Sequence, residues 1–393
     1  MFNKNYFKKN LKLIDKIAKK KFSQGSFDIE YNKGKKFFVS PPYQYYSLNF
    51  FEEIYKDRNN YIAGNINMII DNLLKFQNKD GSFDEWYRFE RSFCSTSYTS
   101  FILSEFLINN KKKITHETFD KIYNSLLRSF EFLKKKQKKL ILNQNFAKLS
   151  FLQNLNKIIE LKNKTVVKKE IFHFEKYIKN KIFNSYDYEY GGIDLGYLTI
   201  TISLAAKIYT ESPTNLNLNN LRHLVLVFKK VTFGFNSISN FIFARSSRVI
   251  LISGFYISLK LGLITQKEFQ NIFDEYKKSI DFFLQDNDFR YLSFFYSTDI
   301  YLIYKTNKTL IKKPKNIPKN KIKINFKEII KLANKNLKLT LYKKNCNFFE
   351  FESKNIKKIV FSDTLKINKS VFVPIILEKI SFDDKFVYIT SSF

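Results

Sequence analysis

The chain has 393 residues, 44% of them hydrophobic, which allows one large domain with an ordinary core and a smaller second one. Its 68 Lys and Arg residues outnumber 36 Asp and Glu residues, and the net charge of +32 favours an anionic partner. Lys, Asn, Ile, Phe and Tyr are abundant together, however, as codon bias in an AT-rich genome would produce. Beyond net charge there is no clear nucleic-acid signal.

Several classes of protein are excluded by simple features. Cys94 and Cys346 are the only cysteines, so no disulfide framework or Cys-based zinc site is expected, and we predict no metal and no cofactor. The first residues carry a charge every few positions, unlike a secretion signal. No apolar stretch is long enough for a transmembrane segment, and the default expectation is a cytoplasmic location.

Helical periodicity dominates from residue 62 to residue 306. The predicted helices are 62–78, 93–109, 117–137, 143–162, 165–183, 195–209, 214–231, 244–262, 266–284 and 291–306. Taken in order they pair into hairpins that start about every fifty residues, a period typical of stacked helical hairpins. Two earlier candidates, near 6–20 and 46–57, would add another pair.

The pattern changes after residue 310. Pro314 and Pro318 among lysines indicate a linker or edge segment. Short runs such as LKLTLYKK, KKIVFSD and KFVYITSS then alternate β-branched or aromatic residues with polar ones, which predicts antiparallel strands. We therefore predict an N-terminal helical segment over 1–60, a helical-hairpin domain over 61–310 and a small β-rich domain over 311–393.

One motif connects the hairpins to a known superfamily. In NLLKFQNKDGSFDEWYRFERSF a helix ends at Gln77, Gly81 lies in the turn, and Phe83 follows. This resembles the Gln…Gly-x-aromatic motif of the α/α-toroid superfamily, which holds terpenoid cyclases, protein prenyltransferase β-subunits and several polysaccharide lyases. The resemblance implies a mainly α fold, an α/α toroid of about five or six hairpins, with these residues as a structural clasp between hairpins.

Polar residues recur where the second helix of each hairpin starts. If the helices alternate between outer and inner positions, these starts meet at one mouth of the ring. Helix N-termini and arginines suit carboxylate or sulfate groups, although capping is a structural alternative for each residue. The starts carry Glu90 with Arg91, Asn143, Asp194 with Tyr197, Arg245 with Arg248, and Arg290 with Tyr291.

Two further segments, YEYGGIDLGYLTITISLAAKIY and FARSSRVILISGF, resemble heparinase-type and related carbohydrate-linked toroid proteins. In that group an Asn-His pair neutralises a uronate carboxylate and a tyrosine moves the proton. The resemblance places Asn143 and Gln144 at the positions of the pair, and Tyr197 at that of the tyrosine. Glutamine cannot titrate, so Gln144 argues against an unchanged lyase mechanism.

Other mechanisms make different demands on the sequence. A glycoside hydrolase needs two carboxylates across a sugar, for which Glu90 and Asp194 are the first candidates because each starts an inner helix. Asp84, Glu85 and Glu189 are further candidates. A terpenoid-type cyclase is disfavoured because its Asp-rich acid motif is absent from the helical region.

The resulting hypothesis is a carbohydrate-acting or carbohydrate-binding toroid for an acidic polysaccharide or its precursor. If the chain is an enzyme, a polysaccharide lyase or glycoside hydrolase is expected; the alternative is a non-catalytic scaffold that binds a glycan or protein. The oligomeric state is not predicted. The predicted catalytic residues are Asp194, Tyr197 and Glu90, and the predicted substrate-binding residues are Arg91, Asn143, Arg245, Arg248 and Trp86.

Overall fold

The described part of the chain is mainly α-helical. The computed structural model describes residues 4–23, 26–27, 30–31, 35–36, 41–50, 65–136, 141–184, 188, 194–232, 249–286 and 288–308, and strand segments between residues 329 and 392.

The helices are numbered in chain order. They are α1 (Lys4–Lys21), α2 (Tyr45–Asn49), α3 (Ile66–Leu74), α4 (Phe93–Asn110), α5 (His116–Lys135), α6 (Leu142–Ile158), α7 (Leu161–Asn184), α8 (Leu195–Glu211), α9 (Asn215–Val231), α10 (Ser253–Lys260), α11 (Gln266–Gln285), α12 (Phe289–Tyr291) and α13 (Ser297–Lys308). A 3-10 turn (Pro41–Gln44) precedes α2, and a π-helical turn (Leu292–Tyr296) joins α12 to α13. From α3 onward the bounds agree with the predicted segments to within about one helical turn, except at α10.

Side-chain caps set the start of several helices. The hydroxyl of Ser92 accepts from the N–H of Ser95 at the start of α4, and Thr115 and Thr214 do the same for α5 and α9. At α11, Thr265 and Glu268 form a reciprocal capping box. These short polar residues satisfy backbone donors that a helix N-terminus leaves without partners, which explains why the sequence signals were accurate here.

The helices divide into an inner and an outer set. Helices α4, α6 and α8 are buried on nearly every face, whereas α5 and α11 each keep one exposed polar face and α9 keeps a partly exposed one. The inner helices contact one another in the order α4, α6, α8, α10 and α13. Helix α13 then contacts α2, and α2 contacts α4. A toroid stays an interpretation of this order of contacts.

The segment 41–50 links the first and last inner helices. All of its residues are buried, and the Tyr45 hydroxyl bonds to Thr99 Oγ1 of α4 at 2.7 Å. On the other side, Ser293 Oγ accepts from the N–H of Tyr46 at 2.9 Å and donates to the carbonyl of Tyr43. The sequence predicted a helix over 46–57, but α2 ends at Asn49, and residues 51–64 lie outside the described part.

Helix α10 starts later than predicted. The predicted segment begins at residue 244, whereas residues 249–252 are non-helical and α10 begins at Ser253. Side chains of other helices accept the backbone N–H groups here: Asp299 Oδ2 from Ile252 at 3.0 Å, and Oδ1 from Ser253 at 2.9 Å. Because Asp299 caps α10 from a distant part of the sequence, periodicity alone could not locate this boundary. Burial raises the pKa of Asp299 to about 6.

Helix α1 packs on the outer set through its apolar face. Phe7, Ile14 and Ala18 are buried, and the ring of Phe7 lies 6.0 Å from those of Phe273 and Tyr276 on α11. The Tyr46 hydroxyl donates to Asp15 Oδ1 at 2.9 Å. The apolar side of this basic amphipathic helix is therefore occupied by protein.

The strands pair in local antiparallel ladders. They are β1 (Phe22–Ser23), β2 (Ser26–Phe27), β3 (Glu30–Tyr31), β4 (Lys35–Lys36), β5 (Ile329–Ala333), β6 (Leu337–Tyr342), β7 (Phe348–Ser353), β8 (Ile356–Ser362), β9 (Leu365–Ile367), β10 (Ser370–Phe372), β11 (Ile376–Phe382) and β12 (Val387–Ser392). β1 pairs with β2, β3 with β4, β9 with β10 and β11 with β12, and β5 to β8 pair in sequence order. A small β domain over 311–393 stays a prediction, as do the other domain bounds.

A buried ion network joins three inner helices. Glu105 of α4 lies 2.8 Å from the Nζ atoms of both Lys207 on α8 and Lys305 on α13. Lys207 and Lys305 also bind Glu211, at 3.1 and 2.7 Å. Burial alone would raise the pKa of Glu105, but Lys207 and Lys305 outweigh it and hold the pKa below its ordinary value. In the same way, Lys207 holds the pKa of Glu211 at about 2 against the effect of burial.

A buried histidine on α9 predicts acid sensitivity. His223 packs against Phe183 with ring centroids 4.6 Å apart, and burial lowers its pKa from 6.5 to about 4. Between these pH values the unfolded chain binds the proton more readily, so His223 costs stability as the pH falls, by at most about 3 kcal/mol. Asp299 acts in the opposite sense, because its raised pKa favours the folded state as the pH falls below 6.

We expect His223→Leu to remove this contribution, so that its free energy of unfolding falls less than that of the wild type between pH 6.5 and 4. Urea unfolding at a series of pH values measures the difference. His173→Leu on the exposed face of α7 is the control, and it should keep the wild-type pH dependence. Parallel curves for wild type and His223→Leu would show that protonation of His223 does not destabilise the fold.

Candidate functional site

The turn after α3 forms the predicted clasp. Gln77 Nε2 donates to the carbonyl of Gly81 at 3.1 Å and reaches α5 at the Ser125 carbonyl, 2.9 Å, and at Ser129 Oγ, 3.0 Å. Gly81 has a φ of +89°, and a Cβ there would lie 2.2 Å from the carbonyl oxygen of Arg128. Only glycine permits both this backbone conformation and this close approach. The prediction that Gln77 and Gly81 join neighbouring hairpins is confirmed.

Two carboxylates shape the loop that follows, residues 84–91, here called the aromatic loop. Asp84 is fully buried and accepts from the N–H groups of Phe89 at 2.8 Å and Arg91 at 2.9 Å. Glu90 Oε2 accepts from the N–H groups of Glu85 and Trp86, both at 2.8 Å. The loop is therefore held from both ends by its own acidic side chains.

The aromatic loop also carries backbone strain. Phe89 and Arg91 have φ values of +64° and +54°, in the left-handed region that side chains other than glycine rarely adopt. Asp84 accepts the N–H of each strained residue, which offsets part of the cost. Strain of this kind is typical of functional loops.

The aromatic loop forms one wall of a cavity of about 480 Å³, a volume typical of small-molecule sites. The start of α4, the start of α6, Tyr197 on α8 and the chain from α12 into the π-helical turn complete the wall. The lining residues are Glu85, Trp86, Glu90, Arg91, Ser92, Phe93, Cys94, Tyr98, Lys136, Ile141, Asn143, Gln144, Gly196, Tyr197, Val249, Arg290, Tyr291, Phe294 and Phe295.

Aromatic rings dominate the interior of the cavity. Phe294 stacks on Phe295 with centroids 4.1 Å apart, and Tyr98 meets Phe294 edge to face at 4.8 Å. Phe294 and Phe295 lie in the π-helical turn, which changes the angular spacing of consecutive side chains and places both rings on the cavity wall. Sequence reasoning missed these residues because helical periodicity assumes an α-helix throughout.

The rim of the cavity combines an ion pair with a stacked tryptophan. Arg290 donates to Glu85 Oε1 at 2.8 Å, and both side chains are largely buried. The guanidinium lies 3.8 Å from the centroid of Trp86, within the range of a cation–π interaction. Arg290 therefore connects the aromatic loop to α12, although the two are far apart in sequence.

The structure brings most of the predicted site residues together. Trp86, Glu90, Arg91, Asn143 and Tyr197 all line the cavity. They come from the first three predicted hairpins, and their joint placement at one mouth is what the hairpin arrangement predicted. Whether any of them acts on a substrate stays a prediction.

The other predicted residues lie elsewhere. Asp194 is buried, and its Oδ1 accepts from the N–H of Tyr197 at 2.8 Å, so it caps α8 and is not among the lining residues. Its carboxylate therefore has the structural role that the capping alternative describes. Arg245, Arg248 and Glu189 lie outside the described residues.

The start of α6 differs from the starts of its neighbours. Its N-cap residue, Ile141, offers no side-chain acceptor, whereas α4 and α8 are capped by Ser92 and Asp194. Gln144, in the first turn, is only 8% exposed, and its side-chain amide has no hydrogen-bond partner among the described residues. The N–H of Leu142 donates to the Tyr188 carbonyl at 2.8 Å, but the start of α6 has no side-chain cap. A helix N-terminus of this kind beside the Gln144 amide suits a negatively charged group in the cavity.

The cavity wall supplies few titratable groups. Glu85 is tied to Arg290, which leaves Glu90 as the lining carboxylate with one oxygen, Oε1, that has no partner among the described residues. The three histidines are not among the lining residues. Among the described residues, no group of three His, Cys, Asp or Glu side chains is placed to hold a metal ion. No described helix is long and apolar enough to cross a bilayer.

Comparison with known proteins gives little guidance. No protein-family model matches the chain, and no curated protein matches it. The chain is similar over 72% of its length to E. coli alpha-2-macroglobulin in its native conformation, solved by cryo-EM, with 10% sequence identity and a TM-score of 0.41. It spans 16% of that protein's length. A likeness at this level supports no statement about the fold or function of this chain.

Proposed function

We propose that the chain is an α/α-toroid protein that binds an acidic carbohydrate, or the precursor of one, in the cavity beside the aromatic loop. The observation that carries the proposal is the shared cavity itself. Glu90, Arg91, Asn143 and Tyr197, which were predicted at the starts of three different helices, line this one cavity together with Trp86. The inner helices contact one another in turn, and the series returns to α4 through α2, which supports the toroid.

Charge at the cavity favours an anionic ligand. Arg91 and Lys136 are exposed lining residues that carry a positive charge, although Arg91 also lies 3.6 Å from the Asp80 carboxylate. Deeper in the wall, Gln144 and the start of α6, which has no side-chain cap, can donate to a carboxylate without adding a charge of their own. We therefore place the acidic group of the ligand at the start of α6.

The remaining lining suits a sugar ring. Sugars present apolar C–H faces as well as hydroxyl groups, and Trp86, Tyr98 and Tyr197 offer flat apolar surfaces with polar edges. Asn143, whose Oδ1 accepts from the Tyr98 hydroxyl at 2.9 Å, adds an amide held in a fixed orientation. A few placed polar groups among aromatic side chains are typical of a specific small-molecule site.

The same wall favours binding over two-carboxylate hydrolysis. Glycoside hydrolysis needs an acid and a base or nucleophile across the sugar, and Glu90 is the lining carboxylate that is free to serve as one of them. A lyase mechanism would use Tyr197 as the proton-transfer group, with Gln144 and Asn143 on the uronate. A scaffold that binds a glycan without turnover remains the alternative.

Trp86 is the chain's single tryptophan, so its fluorescence reports directly on the cavity. We expect uronate-containing oligosaccharides to change this emission in a saturable way, and uncharged oligosaccharides of equal length to bind more weakly. Gln144→Ala should weaken binding of the acidic oligosaccharide by roughly tenfold, since hydrogen bonds to charged groups contribute about 1.5–3 kcal/mol.

Gln270→Ala, the same change at an exposed position of α11, is the matched control and should keep the wild-type affinity. New reducing ends or the absorbance of an unsaturated uronate, abolished in Tyr197→Phe, would establish an enzyme, and binding without turnover would establish a scaffold. An unchanged Trp86 emission with every oligosaccharide would contradict the proposal.

The aromatic lining favours a second candidate, an isoprenoid-type ligand as in terpenoid-type cyclases. The rings of Tyr291, Phe294 and Phe295 add an apolar surface that a small sugar would not fill. A prenyl diphosphate that saturates the Trp86 signal where uronates fail would support this candidate.

A further inference from the structure

We propose that the aromatic loop docks the molecule on an anionic lipid surface, so that the mouth of the cavity faces the membrane. The proposal concerns the outward side of the loop. It is independent of which ligand the cavity binds.

The outward side of the aromatic loop carries large exposed rings. Trp86, Tyr87 and Phe89 are 44%, 64% and 75% exposed, and Tyr87 and Phe89 do not line the cavity. Phe89 is also held at a positive φ, so the chain bears backbone strain at the residue that exposes the most apolar surface. Tyr87 and Phe89 are largely exposed and so add little to the packing of the described residues, from which we infer that another surface covers them in use.

Aromatic residues of this kind favour the region between lipid headgroups and acyl chains. Entry into that region is costly when backbone N–H groups lack partners. In the aromatic loop, the N–H groups of Glu85 and Trp86 are bound by Glu90, and those of Phe89 and Arg91 by Asp84. The loop can therefore leave water with these donors already satisfied.

The charges around the loop complement an anionic surface. The exposed basic side chains nearby are Lys75, Lys79, Arg88, Arg91 and Lys136. Within the loop, Asp84 is buried, Glu85 is paired with Arg290, and Glu90 holds the loop backbone. The exposed carboxylate nearby, Asp80, lies 3.6 Å from Arg91, so it offsets one of these five positive charges. Each Lys or Arg near an anionic bilayer adds to the attraction.

Aromatic rings among basic residues also suit single-stranded nucleic acid, in which bases stack on rings inside a charged groove. Here the rings of Tyr87 and Phe89 face solvent and line neither the cavity nor a groove, whereas Trp86 also lines the cavity and is covered on one face by Arg290. A backbone N–H group without a partner is costly in lipid, whereas water would bind it. Hydrogen bonds within the loop therefore matter more for contact with lipid than for contact with a nucleic acid in water. The lipid surface is the better fit.

Vesicle co-sedimentation tests the proposal on the full chain. We expect the protein to bind vesicles of phosphatidylcholine mixed with phosphatidylglycerol, to bind pure phosphatidylcholine vesicles weakly, and to shift its Trp86 emission to shorter wavelength when bound. Tyr87→Ser combined with Phe89→Asn should lower the partition onto anionic vesicles by about tenfold or more, because two apolar rings leave the interface. Asparagine tolerates the left-handed conformation of residue 89, so the loop should keep its shape.

Phe172→Ser, which removes another highly exposed ring on α7, is the matched control and should leave binding unchanged. Equal losses in the control and the double variant, or no binding of the wild type to anionic vesicles, would overturn the proposal. So would an oligonucleotide or a second copy of the chain that binds through Tyr87 and Phe89 while vesicles do not bind.

Discussion

Glu105→Ala is expected to lower the free energy of unfolding by about 3–5 kcal/mol. Each carboxylate oxygen of Glu105 contacts one ammonium group, Lys207 at Oε1 and Lys305 at Oε2, both at 2.8 Å. Truncation leaves the nearly fully buried Lys207 with Glu211 as its remaining anionic partner, at 3.1 Å. Removing one partner of a buried pair is costly because the other charge stays out of water.

The control for this prediction is Glu117→Ala, the same change at an exposed ion pair. Glu117 pairs with Lys121 at 2.9 Å on the surface of α5, and its side chain is 76% exposed. Solvent screens such a pair, so we expect little change in the free energy of unfolding. Urea unfolding of both variants measures the difference. Equal losses would show that the network joining α4, α8 and α13 does not hold the inner helices together.

Helix positions in this chain were predictable because two local signals agree. Apolar residues recur at a period of 3.6, and short polar residues such as Thr115, Thr214 and Thr265 stand where the helices begin. Both signals lie within a few residues of the structure that they specify. The turn at Gln77 and Gly81 was predictable for the same reason, since its residues are close in sequence.

Features that depend on distant residues were not predictable. The start of α10 is set by Asp299, and the burial of segment 41–50 depends on Ser293 and Thr99. The sequence near these residues does not predict either contact. The helix predicted from residue 244 is wrong at residues 249–252, because the N–H groups of residues 250–253 have their acceptors on other helices.

The candidate site shows the same division. Helix starts can be read from the sequence, and Glu90, Asn143 and Tyr197 were expected at one mouth because consecutive hairpins repeat. The capping role of Asp194 depends on the orientation of its carboxylate, which composition does not determine. Phe294 and Phe295 reach the cavity through a single π-helical turn, and the pairing of Glu85 with Arg290 spans most of the helical region.

Gly81→Ala is the substitution expected to damage the clasp most. A Cβ at this position would lie 2.2 Å from the carbonyl oxygen and 2.4 Å from the carbonyl carbon of Arg128, both in the backbone of α5. Backbone atoms of a buried helix face cannot move aside cheaply, so the loop and α5 must separate and the Gln77 bonds to Ser125 and Ser129 must lengthen. We expect a loss of at least about 3 kcal/mol in the free energy of unfolding.

Gly262→Ala separates this clash from backbone strain. Gly262 also has a positive φ, +74°, but a Cβ there meets nothing within 4 Å. Its replacement should cost about 1 kcal/mol, the strain of a left-handed alanine alone. The excess loss in Gly81→Ala then measures how firmly the first hairpin is joined to the second. If the two variants unfold at the same denaturant concentration, α5 yields to the new methyl group, and the clasp does not fix the wall of the cavity.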